Sequence, residues 1–450
     1  VKHRKILLWT TLVSLLAVAV SLIAAAAVSA RTSPAAKSTA TIAPPKVPNA
    51  KALKAKYGGQ TITFIGDNGV SHKRDVKLAA RFTKDTGIKV KVIPQPLASD
   101  ASYAQKARLF SSHSSSVDVM MLDVIWPGAF APYLVDLKPY FKPAEIKRQA
   151  AGIVQNDTVK GHLVAMPWFG DYGILYYRTD LLKKYGYSAP PTTWSELATM
   201  AKKIQDGERA AGNANFSGFV FQGNAYEGLT CDALEWLASS GGGDFVDNGK
   251  VTIDNTNAVD MLNTVRGWIG NITPRGVTSY QEEDARNAFD AGNAAFMRNW
   301  PYAYAASQST SVKGKFDVTV LPHGPGGTSV GTVGGWQLGV SKYSKHIPAA
   351  VEWVRYLTSP GVEKFDAIFN SNVPTIPAVA TDKAVVKANP YLKPNIANVK
   401  RVTRPASYFG THYAQASQYI YQGINSIENG QDAKNVLPGI AQQLNRILVK

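Results

Sequence analysis

The stretch TITFIGDNGVSHKRDVKLAARFTKDTGIKVKVIPQP, Thr61–Pro96, decides the fold class. Its first six residues are a short β-rich run. A polar turn follows, then a helical stretch from Asp75 that Gly87 ends. Ile88–Pro96 alternates in the manner of a strand. Beyond it, Ser102–His113 reads as helix, and the VDVMML core of Ser116–Trp126 reads as a strand buried on both faces. Strand, helix, strand, helix, strand is an α/β unit with a parallel sheet.

A second unit follows in the same style. Met166–Arg178 contains a strand, and Thr192–Gln205 is a helix capped by Thr192 or Thr193, with Glu196 placed for a capping box. SGFVFQG (217–223) is a strand, and Tyr226–Gly243 is an amphipathic helix stopped by glycines. Val251–Ile269 runs strand, cap, helix; Ala285–Trp300 runs helix, glycine turn, strand. KFDVTVLP and GGWQLGVS add strands, and the rest is mostly helical. No repeat is evident. Ligands of open α/β sheets bind beyond the carboxyl ends of the strands. Asp123, Asp171, Trp300 and Trp336 all fall at or beside such ends.

The 450 residues, 45% hydrophobic and 18% charged, have a globular composition and fit two folding units. The net charge of +17 suggests nucleic acid, but the first 60 residues hold nine Lys/Arg and no acid, which leaves about +8 over the remainder. No basic run with interleaved aromatics occurs there, so no nucleic-acid partner is expected. Residues 1–30 join a basic start to a long apolar run and a small-residue Val28-Ser29-Ala30 pattern; they fit a cleaved signal peptide or a retained membrane anchor. Either implies an exported chain. Residues 31–56, rich in Pro, Ala, Ser, Thr and Lys, read as a spacer. The one cysteine, Cys231, excludes an internal disulfide and reads as helix packing.

Enzyme signatures fail on context. Gly327–Gly331 spells G-x-S-x-G, yet Ser329 lies in a glycine-rich loop before a strand, where a nucleophile elbow needs a strand before and a helix after. That loop also lacks the GK[ST] ending of a phosphate loop. The seven histidines are scattered and no H-E-x-x-H occurs, so neither metal nor cofactor is expected. Asp123 and Asp171 remain a formal carboxylate pair for glycoside hydrolysis.

What is left is a surplus of aromatics near strand ends: Trp126, Trp168, Phe169, Tyr172, then Trp300, Tyr302, Tyr304 and Trp336. Trp194, Trp236, Trp268 and Trp353 sit mid-helix among apolar neighbours and read as core. Trp300 and Trp336 instead lie beside polar or glycine residues, with Pro301 suited to a helix start. A flat aromatic face beside carboxylates, amides and an arginine suits a sugar, whose hydroxyls each need a partner when desolvated.

MMLDVIWPGAF, ILYYRTDLLKKYGYSAPPTTWSEL, FVFQGNAYEGLTCDALEWLASSGG, GNAAFMRNWPYAY and VGGWQLGVSKYS together resemble the extracellular solute-binding proteins of ABC importers, in particular the trehalose/maltose-binding group. The resemblance runs from about residue 60 to the C-terminus. It implies a two-lobed periplasmic-binding-protein-like α/β fold, with residues 57–166 and 312–368 in lobe 1 and 167–311 and 369–450 in lobe 2. It implies ligand-binding roles for Asp123, Phe169 and Asp171, a stacking role for Trp300, and cleft positions for Gly335, Trp336, Arg404 and Glu282. Relatives tend to carry a glutamate after the first strand where this chain has GDNGVSHKRD; Asn68, Ser71 or His72 is expected to substitute, and Tyr302 to assist. The implied partners are a di- or oligosaccharide and an ABC permease, with the chain a monomer and not an enzyme. A binding protein for a non-sugar solute keeps the same fold.

Overall fold

The computed structural model describes residues 42–449. In chain order the strands that build its sheets are β1 Thr61–Gly66, β2 Lys89–Pro94, β3 Val119–Asp123, β4 Met166–Tyr172, β5 Ile174–Arg178 and β6 Ser217–Val220. They continue as β7 Ala294–Asn299, β8 Phe316–Thr319, β9 Val330–Val340, β10 Val373–Pro374 and β11 Lys400–Val402.

Two sheets result. The first runs β10-β4-β9-β3-β1-β2, with β11 added along β9. β2, β1 and β3 are parallel, as the opening stretch predicts. The second runs β8-β5-β7-β6. Each sheet has its own apolar core, one around Phe64, Leu78, Phe82 and Trp353, the other around Trp194, Phe219, Trp236 and Leu262. The architecture is therefore two α/β lobes.

Local sequence explains the elements that carry the site. Between β1 and β2 a helix, His72–Thr86, buries Arg74, Leu78, Phe82 and Thr86, one stripe at four-residue spacing. Gly87 ends it at φ +70°, a left-handed conformation that glycine adopts freely. β3 is buried throughout, as its unbroken apolar run requires. The helix Trp194–Ala210 starts on the expected capping box, in which Thr193 Oγ1 accepts from the Glu196 N–H at 3.1 Å.

Several boundaries differ from the sequence reading. Pro167–Tyr172 stays in the first sheet, paired with β9, so lobe 1 continues past 166 to the break at Gly173. A Cβ at Gly173 would lie 1.9 Å from Glu235 Oε1 and 2.6 Å from Arg298 Nη2, so any larger residue at this crossing would have to displace that buried ion pair. Phe316–Thr319 pairs with β5 and belongs to the second sheet, although it follows residue 312. Val373–Pro374 pairs with β4 in the first sheet, although it follows residue 369. Hydropathy marks a strand as buried but does not say which sheet buries it.

The spacer assignment also shortens. Ala50–Tyr57 is a helix, Val47 is buried, and Ile42, Leu53 and Tyr57 pack on the first-lobe core. The Tyr356 hydroxyl donates to Pro45 O at 2.9 Å. The leader and residues 31–41 lie outside the described residues. No helix among the described residues is long and apolar enough to cross a membrane.

Candidate functional site

A cleft of about 1,090 Å³, its open mouth included, lies between the lobes. On the first lobe its wall consists of the segments that follow the carboxyl ends of β1, β2 and β3, where the topology of an open α/β sheet puts ligands. They supply Asp67, Asn68 and Ser71, then Gln95 and Ser99, then Asp123. β4 and β9 supply the floor, with Phe169, Asp171, Gly334, Gly335 and Trp336. The second lobe supplies Tyr226, Glu227, Gln281–Asp284, Trp300, Tyr302 and Arg404. Of the site residues singled out from the sequence, all but His72 line this one cleft.

Trp300 is the most elaborately held of them. Its amide donates to Asn299 Oδ1 at 2.8 Å, and its carbonyl accepts from the Tyr176 hydroxyl at 2.8 Å. Its indole N–H reaches Glu282 Oε1 at 3.3 Å. The Arg298 guanidinium lies over the ring at 4.0 Å, and is itself fixed by Asp232 at 3.0 Å and Glu235 at 2.7 Å. A Cβ at Gly334 would sit 3.1 Å from the ring edge, so glycine lets the indole rest on β9. Pro301 precedes the short helix Tyr302–Ser307, as expected, and the Tyr302 hydroxyl donates to Glu283 Oε1 at 2.7 Å.

Gly335 has φ +126°, and a Cβ there would lie 2.7 Å from the Phe169 carbonyl oxygen, so only glycine fits. The next residue, Trp336, pairs in register with Asp123 and meets Trp126 edge-on at 5.7 Å. Trp126 and Trp168, by contrast, are core residues; Trp168 is 1% exposed beneath the Arg74 guanidinium.

Arg404 does not offer a free fork. Its Nη2 donates to Asp123 Oδ1 at 2.7 Å, and its Nη1 donates to Asp123 Oδ2 at 3.2 Å and to Glu227 Oε1 at 2.9 Å. Asp123 belongs to the first lobe and Glu227 opens the helix Glu227–Ser239 of the second. The arginine therefore ties the two walls together. The Tyr413 hydroxyl completes the set by donating to Glu227 Oε1 at 2.6 Å. Asn68 and Ser71 are also engaged: Asn68 Nδ2 donates to Pro96 O at 2.8 Å, and Ser71 Oγ accepts from Asn370 Nδ2 at 3.0 Å.

Three polar atoms of the cleft are buried without a well-aligned hydrogen bond among the described residues: Asp171 Oδ1, the Tyr226 hydroxyl and Arg404 Nε. Such atoms cost roughly 1–3 kcal/mol each unless a ligand or water satisfies them. Burial raises the Asp171 carboxyl well above the ordinary carboxylate range, and the negative charge of Asp67 adds to it. Burial also raises Glu227 and Glu282. Asp67 is pushed up to about 7, mainly by burial and against the pull of Arg74.

Asp67, Tyr226 and Glu227 were not legible as site residues. Glu227 sits in the first turn of a helix, where acids are common for dipole reasons alone. Its place just after the buried strand β6 was the available signal.

Comparison with known proteins agrees with this geometry. The profile of the bacterial extracellular solute-binding protein family matches residues 69–364. A probable ABC transporter-binding protein of Deinococcus radiodurans is 48% identical over 86% of this chain and 93% of its own. The maltose-bound structure of T. maritima MalE3 superposes with a TM-score of 0.80 at 39% identity, covering 87% of this chain and all of that one. A Thermotoga lettingae solute-binding protein with bound α-D-tagatose shares the fold, with a TM-score of 0.76 at 21% identity and the same 87% of this chain covered, against 100% of its own. With two lobes, a cleft between them and a family match over most of its length, this chain belongs to the bacterial extracellular solute-binding proteins and is the binding component of an ABC transporter.

Proposed function

We propose that the chain captures a di- or oligosaccharide of the trehalose or maltose kind between its lobes, outside the cytoplasmic membrane, and delivers it to a membrane permease. The observation that carries this reading is Trp300, an aromatic platform on the second lobe with hydrogen-bonding groups of both lobes around it. A sugar's C–H face stacks on such a ring while its hydroxyls take up buried polar atoms. The similarity to a maltose-bound protein at 39% identity supports the sugar class.

No chemistry is required. A ligand that contacts both walls favours the closed form by its differential affinity for that form. What speaks for capture over hydrolysis is Asp123: both of its oxygens accept from Arg404, so it is engaged in tying the two walls together.

Calorimetric titration with trehalose, maltose, sucrose and longer glucans, each mixture checked for hydrolysis, tests the proposal. One-to-one binding with the sugar recovered intact is expected. Hydrolysis products would overturn it in favour of an enzyme, and no binding across the panel would overturn the sugar class.

A further inference from the structure

The cleft is rich in carboxylates and poor in free cations. Asp67, Asp123 and Asp171 line it from the first lobe and floor, and Glu227, Glu282, Glu283 and Asp284 line it from the second. Arg404 is the one Lys or Arg among the lining residues. It is already shared between Asp123 and Glu227.

The arginines behind the walls are equally committed. Arg74 meets Asp67 and Asp366 at 3.2 Å and Asp75 at 2.8 Å, three carboxylates for one guanidinium. Arg298 is taken by Asp232 and Glu235, and Arg286 by Glu283 and Asp290. Lys106, buried behind Gln95, meets Gln95 Oε1 at 3.0 Å and Ser102 Oγ at 2.6 Å and makes no ion pair.

Among the described residues three cleft carboxylates are thus left without a counter-ion: Asp284, which accepts the Gln281 N–H at 2.9 Å where its helix starts, Glu282 and Asp171. Glu282 has the Trp300 indole N–H, and Asp171 has neither ion pair nor hydrogen bond, with its Oδ1 buried. A second observation points to an absent ligand at the same place. The Tyr226 side chain, 2% exposed and on the cleft wall, brings its hydroxyl beside Glu282 but forms no well-aligned hydrogen bond among the described residues.

We infer that the preferred ligand is a basic sugar, an amino sugar or aminocyclitol, whose ammonium group sits against Asp171. The inference rests on the sugar reading above and adds a charge to it. A hydroxyl donating to a carboxylate already makes a charge-assisted bond, and an ammonium adds the attraction of an ion pair to it. Ionising Asp171 in the empty cleft is disfavoured by its burial and by Asp67, and a ligand cation relieves both. Neutral sugars still bind through stacking and hydroxyl contacts, at lower affinity.

The test compares trehalose and maltose with their 2-amino-2-deoxy and 6-amino-6-deoxy counterparts, by calorimetry at a pH where the amines are charged. At least one aminated form should bind tenfold or more tighter than its parent, about 1.4 kcal/mol. Asp171→Asn should bring that ratio near one, whatever it does to the parent sugar. Parents that bind as tightly as every aminated form would overturn the charge preference and leave the sugar reading intact. Failure of all these sugars to bind would overturn both. The wild-type ratio decides the matter even if the variant does not fold.

Discussion

Each lobe carries a buried arginine with an aromatic ring on its guanidinium face and carboxylates around its edge. In the first lobe Arg74 lies 4.1 Å from the Trp168 ring and 5.0 Å from Phe169, with Asp67, Asp75 and Asp366 around it. In the second, Arg298 lies 4.0 Å from Trp300, with Asp232 and Glu235. The same device serves two ends. Trp168 is sealed in the core, whereas Trp300 stands on the cleft wall. A stacked arginine rigidifies whichever ring it covers, and the ring's position in the fold decides whether that rigidity serves stability or recognition.

The largest effect should come from removing the first arginine. Arg74→Met leaves three buried carboxylates uncompensated and should cost about 3–5 kcal/mol of stability in denaturant unfolding. A near-neutral result would mean those carboxyls are held protonated and the arginine is dispensable.

The two tryptophans then separate the roles. Trp168→Ala should cost about 3–5 kcal/mol of stability, as buried aromatic truncation does. Trp300→Ala should cost about 2 kcal/mol of sugar affinity, roughly thirtyfold, with a much smaller change in unfolding midpoint. Equal stability losses with unchanged affinity would erase the distinction between the rings.

Much of this was legible in residues 61–126, because strand–helix–strand order follows from hydropathy period and caps. The cleft was legible because it collects strand ends: Asp123, Trp300 and Trp336 each end or start a predicted apolar run. Lobe membership was not. β4 and β5 read as one apolar stretch, and the break at Gly173 reflects Glu235 and Arg298 behind it, distant in sequence. Nor could sequence show that Arg404 would spend its fork on Asp123 and Glu227, or that Trp168 and Trp300, both counted among the aromatics near strand ends, would differ in exposure. Those facts belong to packing between segments far apart in the chain.

Acid–base behaviour extends the comparison to the first lobe's support. Burial raises Glu363 to about 8, against hydrogen bonds from Thr375 and Ile376. The folded state then keeps a proton that the unfolded chain releases near its ordinary 4.5, so stability falls as pH rises from about 4.5 to about 8. Glu363→Gln should flatten that decline by a few kcal/mol at most, in unfolding measured across the window. An unchanged slope would place the proton elsewhere, Asp67 being the next candidate.

A smaller effect is expected where the walls meet. Arg404→Lys keeps the charge but cannot hold Asp123 bidentately while reaching Glu227. Sugar affinity should fall by about tenfold, near 1.4 kcal/mol, and scattering of the ligand-free protein should show a larger radius of gyration. Unaltered affinity and radius would remove Arg404 as the tie between lobes.

The central claim is that recognition is built on the second lobe's cleft-facing ring, Trp300. A crystal structure of the complex with the tightest-binding sugar tests it most directly. The account predicts a sugar ring stacked on the free face of Trp300, with hydroxyls or an amine within hydrogen-bond distance of Asp171. A sugar bound away from that ring, or on one lobe alone, would contradict it.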